Sequence, residues 1–377
     1  MLNPVLGMGL TVLSAIPASP SEASWSCAYV AERLPLALSL LGEDTLSAEE
    51  TRAGRKRLGL ADAVLTRASS LSLARTLGAT RLVVVRCLDG ETLTTLEAQA
   101  FDADRPVAGE VVRIARPRLE IAAGIDEIAR RLHPETGRGA PEAFHAPSPS
   151  ALARAGLALV QGSASERARG LSQALEDDRA AIDLRLSAVE ALVAAKDFEA
   201  AIRLASSAAG AGTPLRLVRA LRFQAGAAQI EAGRYAEAGD TFEALRAERE
   251  TAAVLNNLGV ARFRMRDAEA STLFERAASY PDPRQGDISF NRALALLFEG
   301  KAGQALPSLD AALAATPSDV RSRLLRVWAL RLLDREALRE EEWERLIVLA
   351  PSFAALGTPD LARRLERILR SERGPTP

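Results

Sequence analysis

This chain has few residues of the kinds that usually do chemistry. Its 377 residues include two histidines, two cysteines and three methionines, and aromatic residues make up 4%. His133 and His145 have no cysteine nearby and lack metal-ligand spacing, so both are expected to be solvent-exposed. Cys27 and Cys87 each sit in apolar surroundings and are expected to be buried thiols. A disulfide requires the fold to bring them together in an oxidising compartment. Lys56, Lys196 and Lys301 are the only lysines, so nearly all positive charge is arginine. Neither sign of charge prevails: 48 Lys and Arg oppose 49 Asp and Glu, for a net charge of −1. No basic field therefore points to nucleic acid or to an anionic membrane. No stretch reaches the roughly 18 apolar residues of a membrane span.

Catalytic signatures are missing too. There is no G-x-S-x-G and no phosphate-binding loop, and Gly7-Met8-Gly9 precedes an expected strand rather than following one. The acidic runs Glu176-Asp177-Asp178 and Glu340-Glu341-Glu342 fall on expected helices and read as solvated faces. The chain is not expected to be an enzyme, and no catalytic residue, cofactor or metal site is expected.

What is present is a repeat. Small residues at Ala168, Ala201, Ala238, Ala270 and Ala305, with Arg339 in the sixth place, recur at spacings of 33, 37, 32, 35 and 34. Four residues later comes a larger apolar side chain in most copies: Phe242, Phe274, Leu309, Trp343. Three further on lies another apolar or small residue, as in Leu245 and Ala277. That is one face of a helix. Gly233 and Gly300 mark turns within hairpins, where positive φ is easiest for glycine. Pro281, Pro317 and Pro351 follow second helices and end them. The stretches "QAGAAQIEAGRYAEAGDTFEAL" and "VLNNLGVARFRMRDAEASTLFERA" resemble tetratricopeptide repeats. The resemblance covers about six units, from Ala151 to Phe353.

The outer units are degenerate, as solenoid ends are. Beyond the sixth, Thr358-Pro359-Asp360 reads as the start of a capping helix with Leu361, Leu365, Ile368 and Leu369 on one face.

The N-terminal region differs in character. Leu10–Ile16 is expected to be a first strand, in preference to the core of a signal peptide whose charged n-region is missing. Helical spacing follows from Trp25 to Leu41, and a capping box opens at Ser47. A short helix, capped by Ser69-Ser70, runs to Leu77. Arg81–Leu88 is β-branched like a buried strand, Asp89-Gly90 signals a hairpin, and Leu93–Phe101 alternates. Val111–Ile114 is a further strand candidate, and Leu119–Leu132 is an amphipathic helix. The stretches "TRASSLSLARTLGATRLVVVRCLDG" and "LTTLEAQAFDAD", with the opening strand-Pro-Trp-helix, resemble the envelope-associated TolB amino-terminal, FlgO and CsgG-like group. Here Pro17-Ala18-Ser19 replaces that group's usual "PF-N".

The expected fold is α+β overall and mainly α. A small α/β domain (1–132) and a proline-rich linker (133–150) precede an α-helical tetratricopeptide solenoid (151–372), which the resemblance implies is a right-handed superhelix. Asn257 and Asn291 fall at matching positions of consecutive first helices, where tetratricopeptide proteins line a concave groove. Their amides suit the backbone of an extended peptide, and Phe223, Phe263 and Arg264 should lie nearby. The competing reading is that the asparagines cap or bridge neighbouring helices. The lysines of a carboxylate clamp are missing, and Asp287 stands where a cation is wanted. The expected function is a non-enzymatic scaffold that binds a protein or peptide, in an envelope-associated assembly. The alternative is a cytoplasmic regulatory module whose α/β domain binds a small ligand. Compartment, oligomeric state and a leader upstream of Met1 are left open.

Overall fold

The computed structural model describes residues 10–17, 25–41, 44–45, 51, 55, 66–76, 79–103, 108–133, 145–207, 213–280 and 285–351. The expected helix from Ser47 lies largely, and the capping helix wholly, outside these. By internal packing the chain divides into two compact units, 1–224 and 225–377. The sequence-based boundaries at 132 and 151 both fall inside the first.

The first unit opens with β1 (Leu10–Pro17), α1 (Trp25–Leu40), β2 (Asp44–Thr45), α2 (Arg67–Thr76), β3 (Arg81–Asp89), β4 (Leu93–Asp102), β5 (Ala108–Pro117) and α3 (Ile121–Leu132). The strand expected at Leu10 is therefore present. The sheet order is β2-β1-β3-β4-β5. β1 pairs in parallel with β2 and β3, and β3-β4-β5 is an antiparallel meander. The hairpin closes at Gly90, whose N–H donates to the Leu93 carbonyl at 2.8 Å. Alternation along β3 sorts its two faces. Leu82 and Val84 pack with Leu73 and Ala74 of α2, whereas Cys87 faces α1 and is bonded to Cys27. Thr66, rather than Ser69-Ser70, caps α2 by accepting the Ser69 N–H at 3.2 Å.

Helical hairpins follow: α4 (Pro149–Leu159) with α5 (Ala164–Asp177), α6 (Ile182–Ala194) with α7 (Phe198–Ser206), α8 (Leu215–Glu231) with α9 (Tyr235–Glu248), α10 (Ala252–Arg264) with α11 (Ala270–Ala278), α12 (Gln285–Phe298) with α13 (Ala302–Ala315), and α14 (Val320–Leu332) with α15 (Glu336–Leu349). The protein is mainly helical, a small α/β sheet region followed by a tetratricopeptide-type array.

Its turns repeat more faithfully than its sequence. Lys196, Gly233, Arg266, Gly300 and Asp334 all have positive φ, between 53° and 78°. In each case the next residue's N–H reaches back to the carbonyl five before the turn residue's successor, as in Asp197 to Leu192 (2.9 Å), Lys301 to Leu296 (2.8 Å) and Arg335 to Leu330 (2.9 Å). This is the Schellman closure of a helix. The helix-marking alanines are all buried. Seven residues before their turns, Gly226 and Gly259 leave room for second-helix rings. A β-carbon there would lie 2.8 Å from Phe242 and 2.7 Å from Phe274. In the fifth hairpin, with Leu309 in place of phenylalanine, alanine (Ala293) suffices, and both are fully buried.

Within the first unit the sheet region is docked on the first two hairpins through α1. Trp25 lies against Gly156 of α4, where a β-carbon would come within 2.2 Å of the indole. Ser148 caps α4 and its N–H donates to Asp178 at 2.7 Å, while the His145 ring nitrogen lies 2.9 Å from the same carboxylate. The end of the expected linker is thus anchored. Asp178 belongs to this anchor and not to a solvated acidic face, and His145, though half exposed, is held in place.

Candidate functional site

In the second unit the first helices α10, α12 and α14 touch one another and form a layer. The core under it contains Ala293, Leu297, Leu309, Leu325, Ala329 and Leu330, and four aromatic side chains pack against it half-buried: Phe263, Phe290, Phe298 and Trp328. Phe263 and Phe298 meet edge to face at 5.1 Å. Guanidinium groups lie over neighbouring rings: Arg321 at 4.7 Å from the Phe290 centroid, Arg331 at 5.7 Å from Trp328, and Arg264 at 5.9 Å from Tyr235. Tyr235 belongs to α9, but the other four rings lie on α10, α12 and α14, and in a chain with 4% aromatic residues that concentration on one helical layer marks the candidate site. Half-buried aromatic and arginine side chains are the residue types over-represented in protein interfaces.

The residues singled out from sequence divide. Phe263 belongs to this wall and Arg264 stacks beside it on Tyr235. Asn257 and Asn291 each stand nine residues before their turn residue, Arg266 and Gly300, so their register holds. Asn291, however, donates its amide to Asn256 Oδ1 at 2.9 Å, which is the bridging role between neighbouring first helices. The Asn257 side chain makes no hydrogen bond among the described residues and is half-buried. Phe223 is half-buried on α8 in the first unit. Sequence reasoning passed over Phe290, Phe298, Trp328 and Asn256. The usable signal was register: Phe290 follows Asn256 by one repeat, each directly before a singled-out asparagine.

A second polar grouping lies at the docking face of α1. Arg33, fully buried, donates to Asp126 of α3 (3.0 and 3.3 Å), to Asp183 of α6 (2.6 Å) and to Tyr29 (3.1 Å); the Tyr29 hydroxyl donates to Asp183 at 2.6 Å. Burial works against a charged Arg33, but Tyr29, Asp183 and Asp126 around it outweigh that and hold it protonated. Burial, and then the Asp183 charge, push the Tyr29 hydroxyl well up. Burial raises Asp126 in spite of Arg33. The ion pairs of Arg33 with Asp126 and Asp183 join α1 to α3 and α6 and fix how these helices dock.

Two expectations are overturned. Cys27 and Cys87 are not free thiols but a disulfide, with Cα atoms 5.6 Å apart, because α1 lies across β3. Together with Asp89 they form a grouping of potential metal ligands. Both sulfurs are committed to each other, and Asp89 accepts hydrogen bonds from Ser26 at 2.5 Å and from Thr94. Glu342 is not on a solvated face. It is buried, held by Arg323 at 2.6 Å and by Arg326, and pins α14 to α15.

No helix among the described residues is long and apolar enough to cross a membrane. No protein-family model matches the chain, and no curated protein matches it. Among solved structures it is similar to YrrB, described as a TPR protein with an unusual peptide-binding site (TM-score 0.40, 20% identity, 53% of this chain and 99% of that one). It is also similar to PilF of Pseudomonas aeruginosa (0.41, 20%, 58% and 97%) and to a MamA mutant (0.37, 17%, 44% and 94%).

Proposed function

We propose that the protein is a non-enzymatic interaction scaffold whose second unit holds an extended protein segment against the layer formed by α10, α12 and α14. The observation that carries this reading is the wall of Phe263, Phe290, Phe298 and Trp328. Its rings are partly covered by the protein's own core, and the part left uncovered is apolar area for a partner to bury. Asn257, on the same layer, supplies an amide for a peptide backbone. Asn291 supports the layer through Asn256 rather than meeting the partner.

The reading extends to an envelope-associated assembly, supported by the Cys27–Cys87 disulfide. Such bonds persist in oxidising compartments and are rare in the cytosol. The resemblance of the sheet region to envelope domains points the same way.

The test is to pan a random peptide library on the full chain and measure the affinity of the selected peptides. Asn257→Ala should weaken them roughly two- to tenfold, the worth of one hydrogen bond. Trp328→Ala should weaken them further. Selected peptides that bind both variants as they bind the parent would place binding elsewhere.

A further inference from the structure

Later hairpins carry a large side chain four residues after the marker alanine, but the first carries Ser172 there. Ser165 and Ala168 are small too, so one face of α5 is small over two helical turns. Ala200 on α7 is small as well. Where α5 and α7 flank the end of α6, the first unit holds an open groove of about 740 Å³. That volume lies within the roughly 300–1,000 Å³ of small-molecule sites.

Four donor-bearing side chains line this groove: Ser165, Arg169, Ser172 and Arg203. Among the described residues, neither guanidinium makes a hydrogen bond or ion pair, and neither hydroxyl makes a hydrogen bond. Arg154 of the same hairpin, by contrast, is spent on Asp177 at 2.8 Å. Arg169 acts on Glu166 only through space, and that carboxylate accepts its hydrogen bond from Ser163. The carboxylate on the lining, Asp197, accepts the Ala200 N–H at 3.2 Å and caps α7. Arg169 and Arg203 are both exposed. With no partner to hold them, their long side chains are free to turn toward a ligand seated in the groove.

We infer that this groove binds a small phosphate monoester. The two oxygens of a carboxylate are filled by a single guanidinium fork. A phosphate monoester presents three terminal oxygens and nearly two negative charges at neutral pH, enough to engage both arginines and the serine hydroxyls together. Ala168, Leu192 and Leu204 give its organic part an apolar floor. The site belongs to the first unit and is independent of the aromatic layer of the second. Ordering two unheld arginines costs part of the binding energy, so the affinity is expected to be modest and to fall as salt is raised.

The experiment is calorimetric titration of the full chain with phenyl phosphate, inorganic phosphate, benzoate and a phosphoserine peptide. Phenyl phosphate should bind more tightly than inorganic phosphate, which lacks the organic part, and than benzoate, which lacks the third oxygen. Its affinity should drop below about pH 6, where the ester loses its second charge. Arg169→Gln/Arg203→Gln should weaken it about tenfold or more while the melting temperature stays at the parent's value, since both side chains are exposed and unpartnered. No binding of phenyl phosphate to the parent, or equal binding to the double variant, overturns the inference. Benzoate bound as tightly as phenyl phosphate overturns the choice of phosphate. Tighter binding of the phosphoserine peptide overturns the small-molecule source and makes the ligand a modified protein.

Discussion

At the scale of single residues, the hairpin turns tolerate more than their sequence suggests. Five of them adopt the same left-handed conformation, yet glycine occupies only two, Gly233 and Gly300; Lys196, Arg266 and Asp334 occupy the others. Left-handed backbone costs a residue with a β-carbon about 1 kcal/mol relative to glycine. Arg266→Gly is therefore expected to stabilise the second unit by about 0.5–1 kcal/mol, and Gly300→Ala to destabilise it by a similar amount. Chemical denaturation of the two variants checks this, and shifts of the same sign would mean that the turn conformation is not what distinguishes them. The glycines at Gly226 and Gly259 answer a different need. Their φ values are helical, and the constraint is the ring of Phe242 or Phe274 within 3 Å of any added carbon.

At the scale of elements, short polar contacts decide where helices begin. Asp178 ends α5 and also receives the N–H of Ser148, which starts α4, and that of Ala180. Burial alone would push its carboxyl up. The hydrogen bonds from His145 and from those backbone groups outweigh it and hold it below the usual carboxylate range. A folded-state pKa lower than the unfolded one contributes stability above the unfolded value, about 3.9, and loses it as pH falls through the folded value. Asp178→Asn should therefore cost about 1–2 kcal/mol at neutral pH, and the gap between variant and parent should shrink on acidification below about pH 4. Urea denaturation across that range measures the gap; one that stays constant would show that charge on Asp178 is irrelevant. Glu342 makes a related point. Its run Glu340-Glu341-Glu342 looks uniform in sequence, but helical geometry turns the third residue inward, and Arg323 and Arg326 meet it there.

At the scale of the whole molecule, α1 joins two architectures in the first unit. The Cys27–Cys87 bond fastens it to β3, Trp25 seats it on α4, and Arg33 ties it to α3 and α6. The cysteines are 60 residues apart, and cross-linking a loop of that length restricts the unfolded chain by about 4 kcal/mol. Thiol titration of the native chain should find no free thiol before reduction and two after it. Reduction should lower the melting temperature, and a Cys27→Ser/Cys87→Ser variant should melt at the reduced value whether or not reductant is added. Equal melting of the oxidised and reduced chains would show that the bond adds nothing to the docking of α1.

The helical array and its repeat were legible in the sequence because they depend on local order. Apolar residues at i, i+4 and i+7, glycine at turns and proline after helices act over a few residues, so they reveal themselves without knowledge of the fold. The sheet was legible for the same reason, through the alternation in β4 and the Asp89-Gly90 turn. Phe263 and the register of the two asparagines came from that periodicity as well. Tertiary structure alone decided the rest. The pairing of Cys27 with Cys87, the inward turn of Glu342, the burial of Arg33 between Asp126 and Asp183, and the bridging of Asn291 to Asn256 each join residues from different elements. Periodicity tells which face of a helix is apolar, but not which neighbour covers it. Distance in space between elements far apart in the chain is set by packing, and packing is a property of the folded molecule.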